Sequence, residues 1–167
     1  MIELPPDAVW TVIPDWLGTE DESLFGTARG MFRYEADDLR STGYLYSRAD
    51  GVEWPPSFKR SGEILLGRLK ADLGYLFPIC AYQAYMHGSG TEWHTDSPFG
   101  LQAILSLGVT RTFGVRKDGK DEKFVSLSHG DLFVMAEGMQ QDGWEHRVVP
   151  ETVPGERISL VFRTPRS

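Results

Sequence analysis

From Pro78 onward the sequence is cut by Gly, Asp and Pro into seven short β-rich runs, 79–85, 101–107, 110–116, 123–127, 131–135, 144–149 and 157–163. The last run alternates most strictly, with Ile158, Leu160 and Phe162 on one face and Arg157, Ser159, Val161 and Arg163 on the other. Runs 110–116 and 123–127 are joined through Lys117, Asp118, Gly119 and Lys120, an Asp-Gly signature for a hairpin turn. Upstream the texture is helical. Thr19 followed by Glu22 has the form of a capping box and predicts a short helix over 19–25. Leu65, Leu69 and Leu73 form a stripe with Leu66 beside it, which predicts a helix from Ser57 or Ser61 to Leu73, closed by Gly74. Gly62 and Gly67 interrupt that pattern. Helices followed by many strands imply an α+β domain: a β-sandwich or partly closed barrel of jelly-roll type, with the N-terminal helices packed on one sheet.

The length, 167 residues, suits one domain, here 1–167, with 1–28 as an acidic elaboration and 29–60 as a substrate-facing lid segment. Cys80 is alone, so neither an internal disulfide nor a zinc-thiolate cluster can form, which fits a reducing, cytoplasmic setting. Met1–Trp10 lacks a basic-then-apolar leader. The longest uncharged stretch, Leu73–Thr91, contains Pro78, Gln83 and His87 and is unfit to span a bilayer, so no membrane association is expected. The net charge of −7 argues against a nucleic-acid surface when taken globally. Yet residues 1–28 hold six acids and no Lys or Arg, so the remainder sums to only −1 and carries all 17 basic groups. A polyanionic substrate therefore stays open, and a monomer is expected.

His94-Thr95-Asp96 at a strand end puts both outer side chains on one face. His146 lies between Trp144 and Val148 on one face of another short strand. Two imidazoles and one carboxylate make the facial triad that holds Fe(II) with three positions open, although the same donors also suit Zn(II). Arg157 and Arg163 lie six apart on the face opposite Ile158, Leu160 and Phe162. Two guanidinium groups in a β-built interior need anions, and a dicarboxylate would supply two.

Taken in order, Tyr85, Trp93, His94, Asp96, Ser106-Leu107-Gly108, Arg111-Thr112-Phe113, His129-Gly130-Asp131, Trp144, His146-Arg147-Val148, and Arg157 through Arg163 resemble the AlkB family of Fe(II)/2-oxoglutarate dioxygenases. Upstream, Tyr44-Leu45-Tyr46-Ser47 and Trp54-Pro55 resemble that family's nucleotide-facing segment, so the likeness spans roughly 29 to 165. The resemblance implies a double-stranded β-helix in which His94, Asp96 and His146 ligate iron. It implies that Arg157 pairs with the distal carboxylate of 2-oxoglutarate, that Arg163 lies near its keto-acid end, and that Tyr85 hydrogen-bonds it. Gln83 and Ser159 stand where many members have Asn, and both are candidate co-substrate contacts. Tyr46 would stack on the substrate base, with Tyr44, Trp54, Phe32 and Arg111 as further substrate contacts. The implied cofactors are Fe(II), 2-oxoglutarate and O2. The implied reaction is oxidative demethylation of an N-alkylated base, releasing formaldehyde, succinate and CO2. The implied partner is nucleic acid, DNA ahead of RNA and single strands included. The hairpin positives Arg116, Lys117, Lys120 and Lys123 are candidate phosphate contacts.

Pro98 stands two residues after Asp96, where relatives carry an acidic residue that contacts the base. That departure supports a second reading, the same chemistry on a small molecule, a protein side chain or a base modified for other reasons than damage. A binding module without catalysis has no need of the triad and both arginines, and a zinc hydrolase would need an extra general base that the sequence does not place near His94 or His146.

Overall fold

Strand Arg157–Arg163 lies inside a six-stranded antiparallel sheet, with both of its faces buried. The computed structural model describes residues 9–19, 23–32, 40–96, 99–140 and 143–165. In chain order the elements are β1 Trp10–Ile13, α1 Leu24–Met31, β2 Arg40–Ser47, α2 Lys59–Leu73, β3 Ile79–Tyr85, β4 Gln102–Gly108, β5 Arg111–Lys117, β6 Lys120–Leu127, β7 Leu132–Met135, a 3-10 turn Glu137–Gln140, β8 Trp144–Val148 and β9 Arg157–Arg163. One sheet has the order β1-β7-β4-β9-β3-β2 and faces a smaller sheet of order β6-β5-β8. This is the expected jelly-roll, double-stranded β-helix core.

Two buried clusters divide the molecule. Between the large sheet and the helices lie Leu65, Leu69 and Leu73 of α2, Leu24 and Ala28 of α1, and Cys80, Leu105, Ile158, Leu160 and Phe162 of the strands. Between the sheets lie Tyr85, Ile104, Phe113, Val115, Phe133 and Val161. The alternation of β9 is thus resolved as read: Ile158, Leu160 and Phe162 meet the helices, and Arg157, Ser159 and Arg163 turn inward.

Helix α2 ends at Gly74, whose φ of 79° is the left-handed cap expected there. Gly62 inside it has a packing reason, because a Cβ would sit 2.7 Å from the Trp54 ring. Asp118 and Gly119 both have positive φ, 51° and 69°, as a two-residue primed turn between β5 and β6 requires.

Several expectations shift. The first helix begins at Leu24 rather than Thr19, and Ser23 caps it without a side-chain hydrogen bond. Its apolar pair Leu24 and Ala28, one turn apart, sets its place; Glu22 of the expected capping box lies outside the described residues. Strands β1 and β2 are additional to the seven expected runs, each stabilised by pairing at an edge, β1 on β7 and β2 on β3. Residues 9–19 pack against the rest of the fold. Trp16 and Leu17 are buried, Trp16 donates from its indole to Asp72 at 2.9 Å, and Arg68 of α2 stacks 4.5 Å over its ring. Within the 29–60 segment, residues 40–47 supply a sheet strand, and Trp54 and Phe58 are buried. No helix among the described residues is long and apolar enough to cross a membrane.

Candidate metal and co-substrate site

The segment before Asp96 lies along β8. Thr91 donates to the Val148 carbonyl at 2.9 Å, and His94 and His146 exchange backbone hydrogen bonds of 3.1 and 2.9 Å. Residues paired in this way project to the same face, so the two imidazoles meet with ring centroids 4.4 Å apart. Asp96, two residues on, completes the group. Its Oδ1 is 3.9 Å from His94 Nε2 and its Oδ2 is 3.5 Å from His146 Nε2, and one donor atom of each residue lies within 4.8 Å of the others. Phe113 stacks on the His146 ring and limits its rotation.

Electrostatics prepares these donors. Burial alone would raise the Asp96 carboxyl, but hydrogen bonding and charge from His146, with Arg163 and Gln102, hold it well below the usual carboxylate range. Burial, then the neighbouring His146, lowers His94 from its ordinary value, so it stays neutral. His94 Nδ1 lies 2.8 Å from the Glu92 carbonyl, an arrangement that places the proton on Nδ1 and turns the Nε2 lone pair toward Asp96. Two imidazoles with an ionised carboxylate are the donor set an iron or zinc ion requires.

Behind the triad, Arg157 is fully buried. Its Nε donates to Ser106 Oγ at 2.9 Å, while Nη1 and Nη2 are buried without a hydrogen-bond partner among the described residues. Burial pulls its pKa down to about 10, with a smaller contribution from the charge of Arg111. Two such nitrogens are costly to leave unmet, and a carboxylate would engage both as a fork. The Tyr85 hydroxyl, kept protonated by burial, donates to Gln83 Oε1 at 2.5 Å. Gln83 faces Ser159 across β3 and β9. Tyr85, Gln83, Ser159 and Arg163 line one pocket with the triad, which opens into a bowl of about 410 Å³ rimmed by Arg40, Thr91 and Glu92. The donor set and the orphaned guanidinium thus fit a metal with an anionic dicarboxylate beside it.

The expected substrate residues separate. A bulge between Tyr44 and Tyr46 breaks the alternation of β2. Tyr44 pairs with Ala81 on the inner face and is 52% exposed. Tyr46 pairs with Cys80 on the helix face, where it stacks on Trp54 at 5.0 Å. Trp54 is buried there, and Phe32 stacks on Tyr82 of the same face. Tyr46, Trp54 and Phe32 therefore pack the core behind the sheet, and only Tyr44 shares the face of the site. Arg111 is also removed from the bowl. Its side chain is fully buried, paired with Glu151 and bonded to the Val149 and Ser89 carbonyls. Arg116 stacks on Trp93 and pairs with Glu145 and Glu122, whereas Lys117, Lys120 and Lys123 are exposed on the β5–β6 hairpin. Pro98 lies outside the described residues.

Three residues of the site were given no role by the sequence reading. Arg40 reaches the bowl only because β2 pairs with β3. Ser106 and Gln102 project inward from β4, and their signal is two polar residues four positions apart, hence on one face of the otherwise apolar run Gln102–Leu107.

The model of the 2OG-Fe(II) oxygenase superfamily matches residues 21–163. The human protein named alpha-ketoglutarate-dependent dioxygenase alkB homolog 3 is 33% identical over 138 residues, 72% of this chain and 48% of that protein. Its mouse counterpart is 37% identical over 138 residues, with the same shares. The chain thus spans about half the length of these relatives. Among solved structures, a 2OG-Fe(II) oxygenase family oxidoreductase from Burkholderia pseudomallei superposes with a TM-score of 0.73 at 17% identity, covering 96% of this chain and 86% of that one. The structure titled OsALKBH1 gives 0.61 at 17% identity, covering 97% and 100%.

Proposed function

The chain belongs to the 2OG-Fe(II) oxygenase superfamily as an AlkB-like dioxygenase dependent on Fe(II) and 2-oxoglutarate, and from that premise we propose that it removes N-alkyl groups from damaged nucleobases in nucleic acid. The observation that carries the reading is a pocket in which the His94, Asp96 and His146 donors meet Arg163 and Tyr85, with Arg157 over the Tyr85 ring and its two outer guanidinium nitrogens buried and unmet among the described residues.

In this reading His94, Asp96 and His146 hold the metal. Arg157 takes the distal carboxylate of 2-oxoglutarate on Nη1 and Nη2, while Ser106 fixes its Nε. Arg163 stands at the other end of the pocket, 3.7 Å from Asp96, and balances the charge of the carboxylates gathered there. Tyr85, Gln83 and Ser159 supply the neutral polar contacts between the arginines. Iron held there, with 2-oxoglutarate and O2 as co-substrates, would supply the oxidation of the N-methyl carbon, with formaldehyde, succinate and CO2 as products. The exposed Tyr44 offers a flat surface to a base drawn out of its stack, and Arg40 at the rim offers a cation to its phosphate.

The test is to load the protein anaerobically with Fe(II), add O2 and 2-oxoglutarate, and follow oligonucleotides carrying 1-methyladenine or 3-methylcytosine by mass spectrometry. Loss of one methylene mass with succinate formation is expected, and neither should occur with His94→Ala. Succinate without base repair moves the substrate to a small molecule or a protein side chain, the reading that Pro98 favours. Absence of succinate under every condition removes the oxygenase reading.

A further inference from the structure

Gln102 is fully buried at the start of β4, directly opposite Arg163 of β9, so the two side chains share the inner face. Its amide is used at both ends: Nε2 donates to Asp96 Oδ2 at 3.1 Å, and Oε1 accepts from Arg163 Nε at 3.0 Å. The orientation of the amide is forced. Only its NH2 can donate to a carboxylate, and only its oxygen can accept from a guanidinium. Asp96 Oδ2 is approached as well by Arg163 Nη2 at 3.7 Å and by His146 Nε2 at 3.5 Å, so it is the crowded oxygen, whereas Oδ1 makes no hydrogen bond among the described residues and faces only His94 Nε2, at 3.9 Å.

We propose that Gln102 is a positioning residue that commits Oδ2 of Asp96 to the Gln102–Arg163 pair and presents Oδ1 alone to the metal, joining metal geometry to the arginine at the keto-acid end of the co-substrate. The inference rests on the metal-site reading above and adds to it a residue that neither the triad nor the arginine pair includes. A carboxylate that closes on a metal through both oxygens occupies an extra coordination position, whereas the facial triad depends on keeping three open. A donor fixed on Oδ2 opposes that closure. Because Gln102 is fully buried, removal of either partner would leave a polar group unmet, so the three side chains hold one another in a single arrangement.

Two variants separate the two ends of the amide. Gln102→Met removes both hydrogen bonds at nearly constant volume. Gln102→Glu keeps an acceptor for Arg163 and removes the donor to Asp96. Each protein is titrated with Co(II) without oxygen, followed by the visible absorption bands of the bound ion. The affinity for 2-oxoglutarate is then measured calorimetrically at saturating Co(II), and the metal-free melt reports on folding. Wild type is expected to take up one Co(II). Both variants should show displaced Co(II) bands, Gln102→Met should bind Co(II) about 10- to 100-fold more weakly, and 2-oxoglutarate affinity should fall about tenfold in Gln102→Met alone. Bands that superimpose on wild type in a folded variant overturn the proposal, and so does an equal loss of 2-oxoglutarate affinity in both. If Gln102→Met does not fold, the bands of Gln102→Glu decide. Lack of Co(II) uptake by wild type overturns the metal-site reading itself, and this inference with it.

Discussion

Strand β9 presents a different chemistry to each side of the large sheet. Toward α1 and α2 it sends Ile158, Leu160 and Phe162 into an apolar cluster with Leu69, Leu105 and Cys80. Toward the small sheet it sends Arg157, Ser159 and Arg163, all buried; Ser159 and Arg163 line the pocket of the triad and Tyr85, and Arg157 lies 5.8 Å over the Tyr85 ring. The inner side also holds the unmet nitrogens Arg157 Nη1 and Nη2 and His146 Nδ1. One face thus gains free energy by removing apolar surface from water, while the other keeps polar groups dry and underemployed until a ligand arrives. Function is confined to the inner face, where Ile104 and Val161 also pack between the sheets, whereas the helix face is apolar packing alone.

The sharpest way to break that division is Leu160→Ala. It should destabilise the fold by about 2–5 kcal/mol in a denaturant titration, yet leave the KM for 2-oxoglutarate of the folded protein unchanged. A raised KM would show that the faces are coupled. Arg157→Lys is the inner counterpart. The lost fork should raise that KM roughly 10- to 100-fold in steady-state assays with little change in melting, and an unaltered KM would place the co-substrate elsewhere. The bulge in β2 gives a finer comparison two residues apart. Tyr46→Ala should cost about 0.5–1.5 kcal/mol for the lost stack on Trp54 and spare the oligonucleotide KM, whereas Tyr44→Ala should do the reverse. The opposite pattern would return Tyr46 to the substrate.

Acid should act on the metal donors of the inner face. The folded protein holds the proton on His94 less tightly than its ordinary 6.5, so stability falls as pH drops below that value and the unfolded chain takes up a proton. The Asp96 carboxylate is held below its ordinary 3.8, so the stability it contributes is complete above that value and lost as pH falls through and below it. Melting curves of the metal-free protein between about pH 7 and 3 should therefore decline in both regions, and Asp96→Asn should flatten the lower one.

Much of this was legible in the sequence for physical reasons. The period-two pattern of Arg157–Arg163 depends only on strand geometry, and the left-handed cap at Gly74 and the Asp118-Gly119 turn depend on local backbone sterics. His94-Thr95-Asp96 sits together in the chain, and the order of the surrounding residues carried the resemblance to AlkB oxygenases. Edge strands β1 and β2 were not legible, because their stability comes from partners far away, Met135 to Leu132 for one and Ile79 to Tyr85 for the other.

The sequence by itself determined the alternation of β9, the donor types and the presence of two arginines that need anions. The tertiary structure decided which aromatic residues can reach the site, since one extra residue in β2 turns Tyr46 into the core and leaves Tyr44 outside it. It also decided that Gln102 meets Asp96 and Arg163. Both outcomes follow from strand register, which is set jointly by two segments and cannot be read from either alone.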